Sequence, residues 1–469
     1  MFVPLYWLLK VTGLDNGPLL AFCSLASLFN AYTSTRTFSN STETALTTAA
    51  LALWPWDSAN QLTSLKKSDE VQSPIPASAS HFAASLSLAA VATLLRPSNV
   101  IIWIVMGASL IIALPTNLER LRAVKTASFV GAAALVFCFA IDSLFYGVPS
   151  FTPYTFLVQN VWNSISLFYG ANPFHFYLTQ ALPFTTMTLL PFIINGVYTG
   201  SSSPKPRLAA IVAITTIGTY SLLGHKEFRF IYPILPILHC FAAHSLVSLS
   251  SSITVLNPPV TSIFTTLSIR PSHAAFVLVS LIPAIYLTSF HYLAQATVMK
   301  TLRDIPSSEL KSIAFLMPCH STPWQSHLHR KDLEVEGLGG SGEGGRAWFL
   351  TCEPPVLGQN ASTYRDQSDY FYEDPIQYLL TRFPPAVDPA FPPSPFTIPS
   401  FSDNSMDLGW RHEWPSHVVV FQDLLTSFGG VVAGLLKQRG YVEYKRMWNS
   451  HFQDDARRTG DVVVLKWSK

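Results

Sequence analysis

Charge is what this chain has least of. Only 12% of its 469 residues are Asp, Glu, Lys or Arg, against about 25% in a soluble globular domain, which excludes a water-soluble reading for most of its length. A formal net charge of +2, with no basic run interleaved with aromatics, gives no footing for a nucleic-acid partner. Five cysteines are too few for a disulfide scaffold. CxxC, HExxH and Walker-type Gly-Lys-Ser/Thr spacings are missing, so no metal and no nucleotide cofactor is expected. A basic n-region before a clean apolar core is missing too, because Met1 leads into Pro4 and aromatics, and no cleavable signal peptide is expected.

What is present is apolar sequence: 49% of residues are hydrophobic and the mean hydropathy is +0.30. Runs near 18–34, 41–56, 81–95, 98–115, 127–146, 177–198, 208–224, 230–250 and 273–294 approach the ~20 residues needed to cross a bilayer core. They predict a polytopic α-helical membrane region over 1–295 with about nine spans. Arg96-Pro97-Ser98-Asn99 marks either a tight hairpin or a helix broken by proline. Lys66, Lys67, Arg120, Arg122, Lys125, Lys205, Arg207 and Arg270 fall in alternate connections, which the positive-inside rule assigns to the cytosol. The opposite side holds Arg36, Arg96, Lys226 and Arg229, each in a compact polar cluster at a span end. These clusters are expected to converge on one anionic ligand.

The densest cluster is His225-Lys226-Glu227-Phe228-Arg229-Phe230. An ionisable side chain at mid-bilayer costs roughly 2.5–3.5 kcal/mol on insertion scales, so such residues gather at interfaces or in cavities and mark sites. Arg229 suits bidentate phosphate contact, Lys226 a point-charge contact, and Glu227 the holding of both. Asp142, at the end of a span, is placed to orient a sugar hydroxyl or pair with a cation. The aromatic connection 147–176 reads as a re-entrant or interfacial loop, with Tyr146, Tyr169 and His175 bordering a lipid-accessible groove. Duller readings stay open: a snorkelling helix end at 225–230, topology anchors at Arg36 and Arg96, a structural cap at Asp142, and interfacial packing at His175.

Beyond residue 296 charges become frequent. Ile313–Met317, Ala347–Leu350, Val418–Phe421 and Val462–Leu465 are short β-type runs; with a helical stretch at 422–438 they predict a small α/β domain over 296–469. It carries a Gly-rich insertion at 337–345 and a Pro-rich one at 384–399. An odd number of spans places this domain on the non-cytosolic face, where Asn360 and Asn40 read as glycosylation acceptors. Cys319 and Cys352 either pair in an oxidising lumen or stay reduced, while Cys23, Cys138 and Cys240 read as apolar filler.

The hexapeptide 225–230 resembles the HKExRF signature of glycosyltransferase family 22, whose members move mannose from dolichyl-phosphate-mannose within the endoplasmic reticulum membrane. Thr35–Ser41 with Glu43-Thr44, Asp142–Gly147, Phe168-Tyr169-Gly170 before Pro173-Phe174-His175, and Leu316–Pro323 are similar to the branch acting on the GPI-anchor precursor. The similarity runs from about residue 20 to the C-terminus. It implies a GT-C-type fold with a lumenal active face and transfer of an α-1,2-linked third mannose. Dolichyl-phosphate-mannose would be co-substrate, with the GPI-precursor glycolipid and membrane lipids as partners and no metal. The rival branch acts on the dolichol-linked N-glycan precursor; a non-catalytic lipid-binding protein is the rival from another class. The family's first span and the lumenal loop holding its acidic base have no counterpart in 1–469, so an N-terminally shortened chain is expected, with the base unassigned.

Overall fold

The computed structural model describes residues 17–34, 36, 38–56, 76–251, 269–333, 344–355, 363–395 and 410–468. Thr35, Thr37, Lys66, Lys67, Asn360 and most of the 337–345 insertion lie outside them. The chain divides into two compact units, 1–285 and 286–469, ten residues before the boundary expected from composition.

The first unit is helical. Each apolar run predicted to span is largely helical among the described residues, with turns at 54–56, 223–224, 279–280 and 290–292. Among the described residues, four helical runs are long and apolar enough to cross a membrane: Asn117–Tyr146, Tyr177–Gly200, Phe228–Ser250 and Pro271–Asp304. Gly17–Ala26, Ser80–Leu95 and Pro97–Ala113 are apolar but shorter. The first predicted run, 18–34, breaks at Ser27, whose hydroxyl caps a new helix by accepting from the Asn30 N–H. Helix Asn117–Tyr146 starts ten residues before its predicted run, because Thr116 and Glu119 form a capping box. Arg120, Arg122 and Lys125 therefore sit in its opening turns rather than in a loop. None of its 30 residues is buried by protein, as suits a helix whose apolar stretch beyond Lys125 is long enough to face lipid. At Gly196 the helix Leu190–Gly200 backs onto helix Leu235–Ser251; a Cβ there would lie 2.0 Å from the Phe241 carbonyl oxygen.

The second unit holds a five-stranded sheet of order β2-β1-β3-β5-β4, with β1 Ile313–Phe315, β2 Ala347–Phe349, β3 His417–Phe421, β4 Tyr441–Met447 and β5 Val462–Trp467. β1 runs parallel to both β2 and β3, while β3–β5 and β5–β4 are antiparallel. Val418, Val420, Val463 and Leu465 enter one apolar cluster and Val419, Phe421, Val462 and Val464 another. Burial on both faces explains why these strands read as continuous apolar runs. The predicted helix 422–438 is interrupted, since Gly429 and Gly430 take positive φ and separate Gln422–Thr426 from Val431–Gln438. The Pro-rich stretch is pinned rather than loose as far as residue 395: Pro384 accepts from the Trp414 indole at 2.8 Å and Ser394 bridges to Gly345. Cys319 and Cys352 are disulfide-bonded, with Cα atoms 6.0 Å apart; Cys23 and Cys240 are free and buried.

Candidate functional site

Helix Ser39–Leu53 inverts the usual amphipathic pattern. Asn40, Glu43, Thr44, Thr47 and Thr48 are all buried and recur at the 3–4 residue spacing of one helix face. Thr44 and Thr48 return their hydroxyl protons to carbonyls one turn back, each at 2.7 Å. Glu43 and Asn40 point to neighbours instead. In an apolar unit, such a stripe is held because most of its polar groups find partners, Asn40 Oδ1 excepted.

The stripe meets the end of helix Pro76–Leu95. Arg96 follows it and brings Nε to 3.2 Å from Glu43 Oε2. Glu43 Oε1 accepts from Asn99 Nδ2 at 2.8 Å, and Oε2 from Asn40 Nδ2 at 3.2 Å. Arg96 Nη1 also reaches Ser39 Oγ at 3.3 Å. Tyr220 caps the arrangement, donating to the Ser98 carbonyl at 3.1 Å.

Five residues beyond Tyr220 lies the hexapeptide. His225 Nδ1 sits 2.8 Å from the Gly170 carbonyl and its Nε2 3.2 Å from Glu227 Oε1. Glu227 holds Arg229 in a two-point contact, Nη2–Oε1 at 2.7 Å and Nε–Oε2 at 2.6 Å. Lys226 behaves differently. It is 4% exposed, its ammonium donates to the Asn172 carbonyl at 2.7 Å, and its own carbonyl accepts from Asn172 Nδ2 at 2.9 Å. Lys226 therefore clasps the 170–173 segment to the hexapeptide through Asn172, whereas the expectation was a point-charge phosphate contact beside Arg229 with Glu227 holding both.

Rings tie the two assemblies together. Arg96 lies over Phe230, 5.4 Å from the centroid, and Arg229 over Phe38 at 5.9 Å. Phe38 and Ser39 begin the helix that carries Glu43, so the turn near Arg36, the helix end at Arg96 and the hexapeptide are neighbours. Arg36 packs 3.8 Å above the Tyr32 ring. Among the described residues, Arg96 Nη2 and Arg229 Nη1 make no hydrogen bond within the protein, and both side chains are partly open, at 22% and 40%. Two guanidinium groups are thus each fastened at one edge to a carboxylate and left with one uncommitted terminal nitrogen.

Other predicted residues stand apart. Asp142 accepts from the Thr152 N–H at 2.8 Å and its hydroxyl at 2.7 Å; it caps helix Thr152–Leu157 and touches none of the cations in the cluster, contrary to its expected supporting role. His175 bonds Thr179 at 3.1 Å and packs on Phe174. Tyr146 packs edge-on against Phe145 and Tyr169 against Phe168. Both tyrosines are largely open, as are Tyr154 and Trp162 along the same connection, but no groove bordered by Tyr146, Tyr169 and His175 is defined by these contacts. Asn40 corrects the sequence reading: it is 1% exposed with its amide on Glu43, so no sugar can be attached in this fold. Glu43 and Asn99 enter the site only through the fold. Their signal was present in the polar periodicity of 40–48 and in an Asn beside the Arg96-Pro97 break.

The described residues of this site fall within a stretch, 6–329, that matches the model of the Alg9-like mannosyltransferase family. The chain is 35% identical over 460 residues to GPI mannosyltransferase 3 of Yarrowia lipolytica, covering 97% of this chain and 76% of that protein. It is 32% identical over 459 residues to GPI mannosyltransferase 3 of Saccharomyces cerevisiae, covering 94% and 66%. The crystal structure of ArnT from Cupriavidus metallidurans in the apo state aligns with 98% of this chain and 81% of that one, at a TM-score of 0.49 and 10% identity, too distant to carry an argument.

Proposed function

The chain belongs to the Alg9-like mannosyltransferase family, and from that premise we propose that it transfers mannose during GPI-anchor assembly. The donor is dolichyl-phosphate-mannose, the acceptor the GPI-precursor glycolipid, and the product its third, α-1,2-linked mannose. The reaction takes place at the lumenal face of the endoplasmic reticulum membrane. The observation that carries this reading is the pair of tethered guanidinium groups, Arg96 and Arg229, each with a terminal nitrogen to spare.

The chemistry follows from where charge develops. Dolichyl-phosphate-mannose carries one negative charge on its phosphodiester, and cleavage of the sugar–oxygen bond leaves a phosphate monoester with more. Cations placed beforehand beside that oxygen favour the transition state over the ground state. Arg229 and Arg96 supply that charge, and Glu227 and Glu43 hold their planes in place. With the phosphate met by guanidinium groups, the reading calls on no metal. Attack by the acceptor hydroxyl on the opposite face of a β-linked donor gives the α-mannoside in one inverting displacement. The hydroxyl must lose its proton as it attacks. Glu43 and Glu227 are both committed to guanidinium groups, so neither is assigned as that base.

Purified full-length protein in nanodiscs, supplied with radiolabelled donor and either the GPI precursor or the dolichol-linked N-glycan precursor, tests the assignment. Transfer is expected to the GPI precursor alone. Arg229→Ala is expected to lower it by roughly 100-fold or more, the scale of losing one charge-stabilising group, at unchanged protein level. Unaltered transfer by Arg229→Ala removes the hexapeptide from the mechanism, and transfer to the N-glycan precursor alone overturns the acceptor.

A further inference from the structure

Resting on the donor-phosphate reading above, we propose that Glu43 is a positioning residue: it locks the Arg96 guanidinium so that its free Nη2 edge is presented to the donor phosphate. Glu43 is 1% exposed. A buried carboxylate costs several kcal/mol in lost hydration unless partners replace the water, and its partners here form an ordered chain. Trp103 donates its indole N–H to Asn99 Oδ1 at 2.7 Å. An indole nitrogen can only donate, so the Asn99 oxygen must face it and the Asn99 amide must face Glu43. That amide divides its protons between Glu43 Oε1 at 2.8 Å and Thr47 Oγ1 at 3.0 Å. Asn40 Nδ2 and Arg96 Nε then share Oε2.

Both carboxylate oxygens accept from protein donors and the side chain is buried, which keeps Glu43 away from a substrate proton and leaves it one evident task. It fixes the Nε edge of Arg96 while Ser39 takes Nη1 and the Phe230 ring lies against the guanidinium at 5.4 Å. The carboxylate must be charged and an acceptor on every side. In Glu43→Gln the amide nitrogen would face donors from Asn99, Asn40 or Arg96, and the Arg96 lock would be lost although the shape is kept.

The test is a double-mutant cycle on the full chain in nanodiscs, reading the affinity of dolichyl phosphate, the leaving group, which binds without turnover. Glu43→Gln and Arg96→Ala are each expected to weaken it by roughly 10- to 100-fold, the scale of one charge-assisted hydrogen bond. The double variant is expected to be no weaker than Arg96→Ala alone, while affinity for the acceptor glycolipid holds. Ser39→Ala frees only Nη1 and leaves the buried carboxylate intact; it is expected to lose roughly threefold, scaled to a weaker neutral contact, and reports even if Glu43→Gln folds poorly. Wild-type affinity in Glu43→Gln, losses that multiply in the double variant, or an equal loss of acceptor affinity would overturn the positioning role. Failure of the wild-type protein to bind dolichyl phosphate at all overturns the donor-phosphate reading, and this inference with it.

Discussion

Two cations of one hexapeptide, three residues apart, end in different roles. Arg229 is partly open and bound on one edge by Glu227; Lys226 is buried with its ammonium on a backbone carbonyl of 172. Lys226→Met is therefore expected to raise hydrogen exchange across 170–173, since the Asn172 carbonyl loses its donor, and to weaken donor binding by less than roughly 10-fold, well short of the loss for Arg229→Ala. Exchange mass spectrometry and donor KM on the same preparations check this. Unchanged exchange together with a donor loss equal to that of Arg229→Ala would make Lys226 a phosphate ligand after all. The sequence placed both cations in one cluster, but which of them keeps a free edge depends on Asn172, more than fifty positions earlier in the chain, and no local pattern carries that.

At the scale of elements, strands and helices were legible where a single period dominates. β3 and β5 are continuous apolar runs buried on both faces, whereas β4 has no apolar run to read because it is an edge strand carrying Glu443, Lys445 and Arg446, the charge that keeps an edge from pairing further. Beside β3 lies a buried polar knot. His412 Nε2 is 3.0 Å from both the Gln367 amide and the Tyr378 hydroxyl, and the ring stacks on Trp348 at 4.0 Å. Burial, with Arg382 adding, pushes the His412 pKa down from 6.5 to about 3, and burial pushes His417 to about 4. Below pH 6.5 the unfolded chain takes protons that these folded rings refuse, so stability falls as pH drops, at about 1.4 kcal/mol per pH unit for each histidine. Asp366, raised by burial to about 6, works in the opposite direction. It is common to wild type and variant, so comparing the two isolates the histidine. The melting temperature of His412→Gln is expected to fall less than that of wild type between pH 7.5 and 5.5. Equal falls would remove His412 as a source of acid sensitivity.

At the scale of the whole molecule, loop charge makes a prediction that atomic contacts do not. Lys205 and Arg207 sit in the first turn of helix Pro204–Leu222, and the hexapeptide lies just beyond its far end; the positive-inside rule predicts a cytosolic place for the first of these ends. A glycosylation tag inserted within 201–206 is expected to stay unmodified, while one within the 337–345 insertion is expected to be modified, both read as gel shifts removable by endoglycosidase. The reverse pattern would put the phosphate site on the cytosolic face and overturn the proposed reaction.

The sequence by itself determined that this is a polytopic helical chain with a smaller α/β part, because apolar run length, charge scarcity and short β-type runs are local and need no fold to be read. The hexapeptide, too, was visible as an energetic anomaly at a span end. Tertiary structure alone decided how its charges are used. It brought Glu43 and Asn99 under Arg96, withdrew Lys226 into a backbone clasp, and turned Asp142 into a helix cap. Hydrogen bonds reach only about 3 Å, so a charged group's task is set by which atoms the fold carries to that distance.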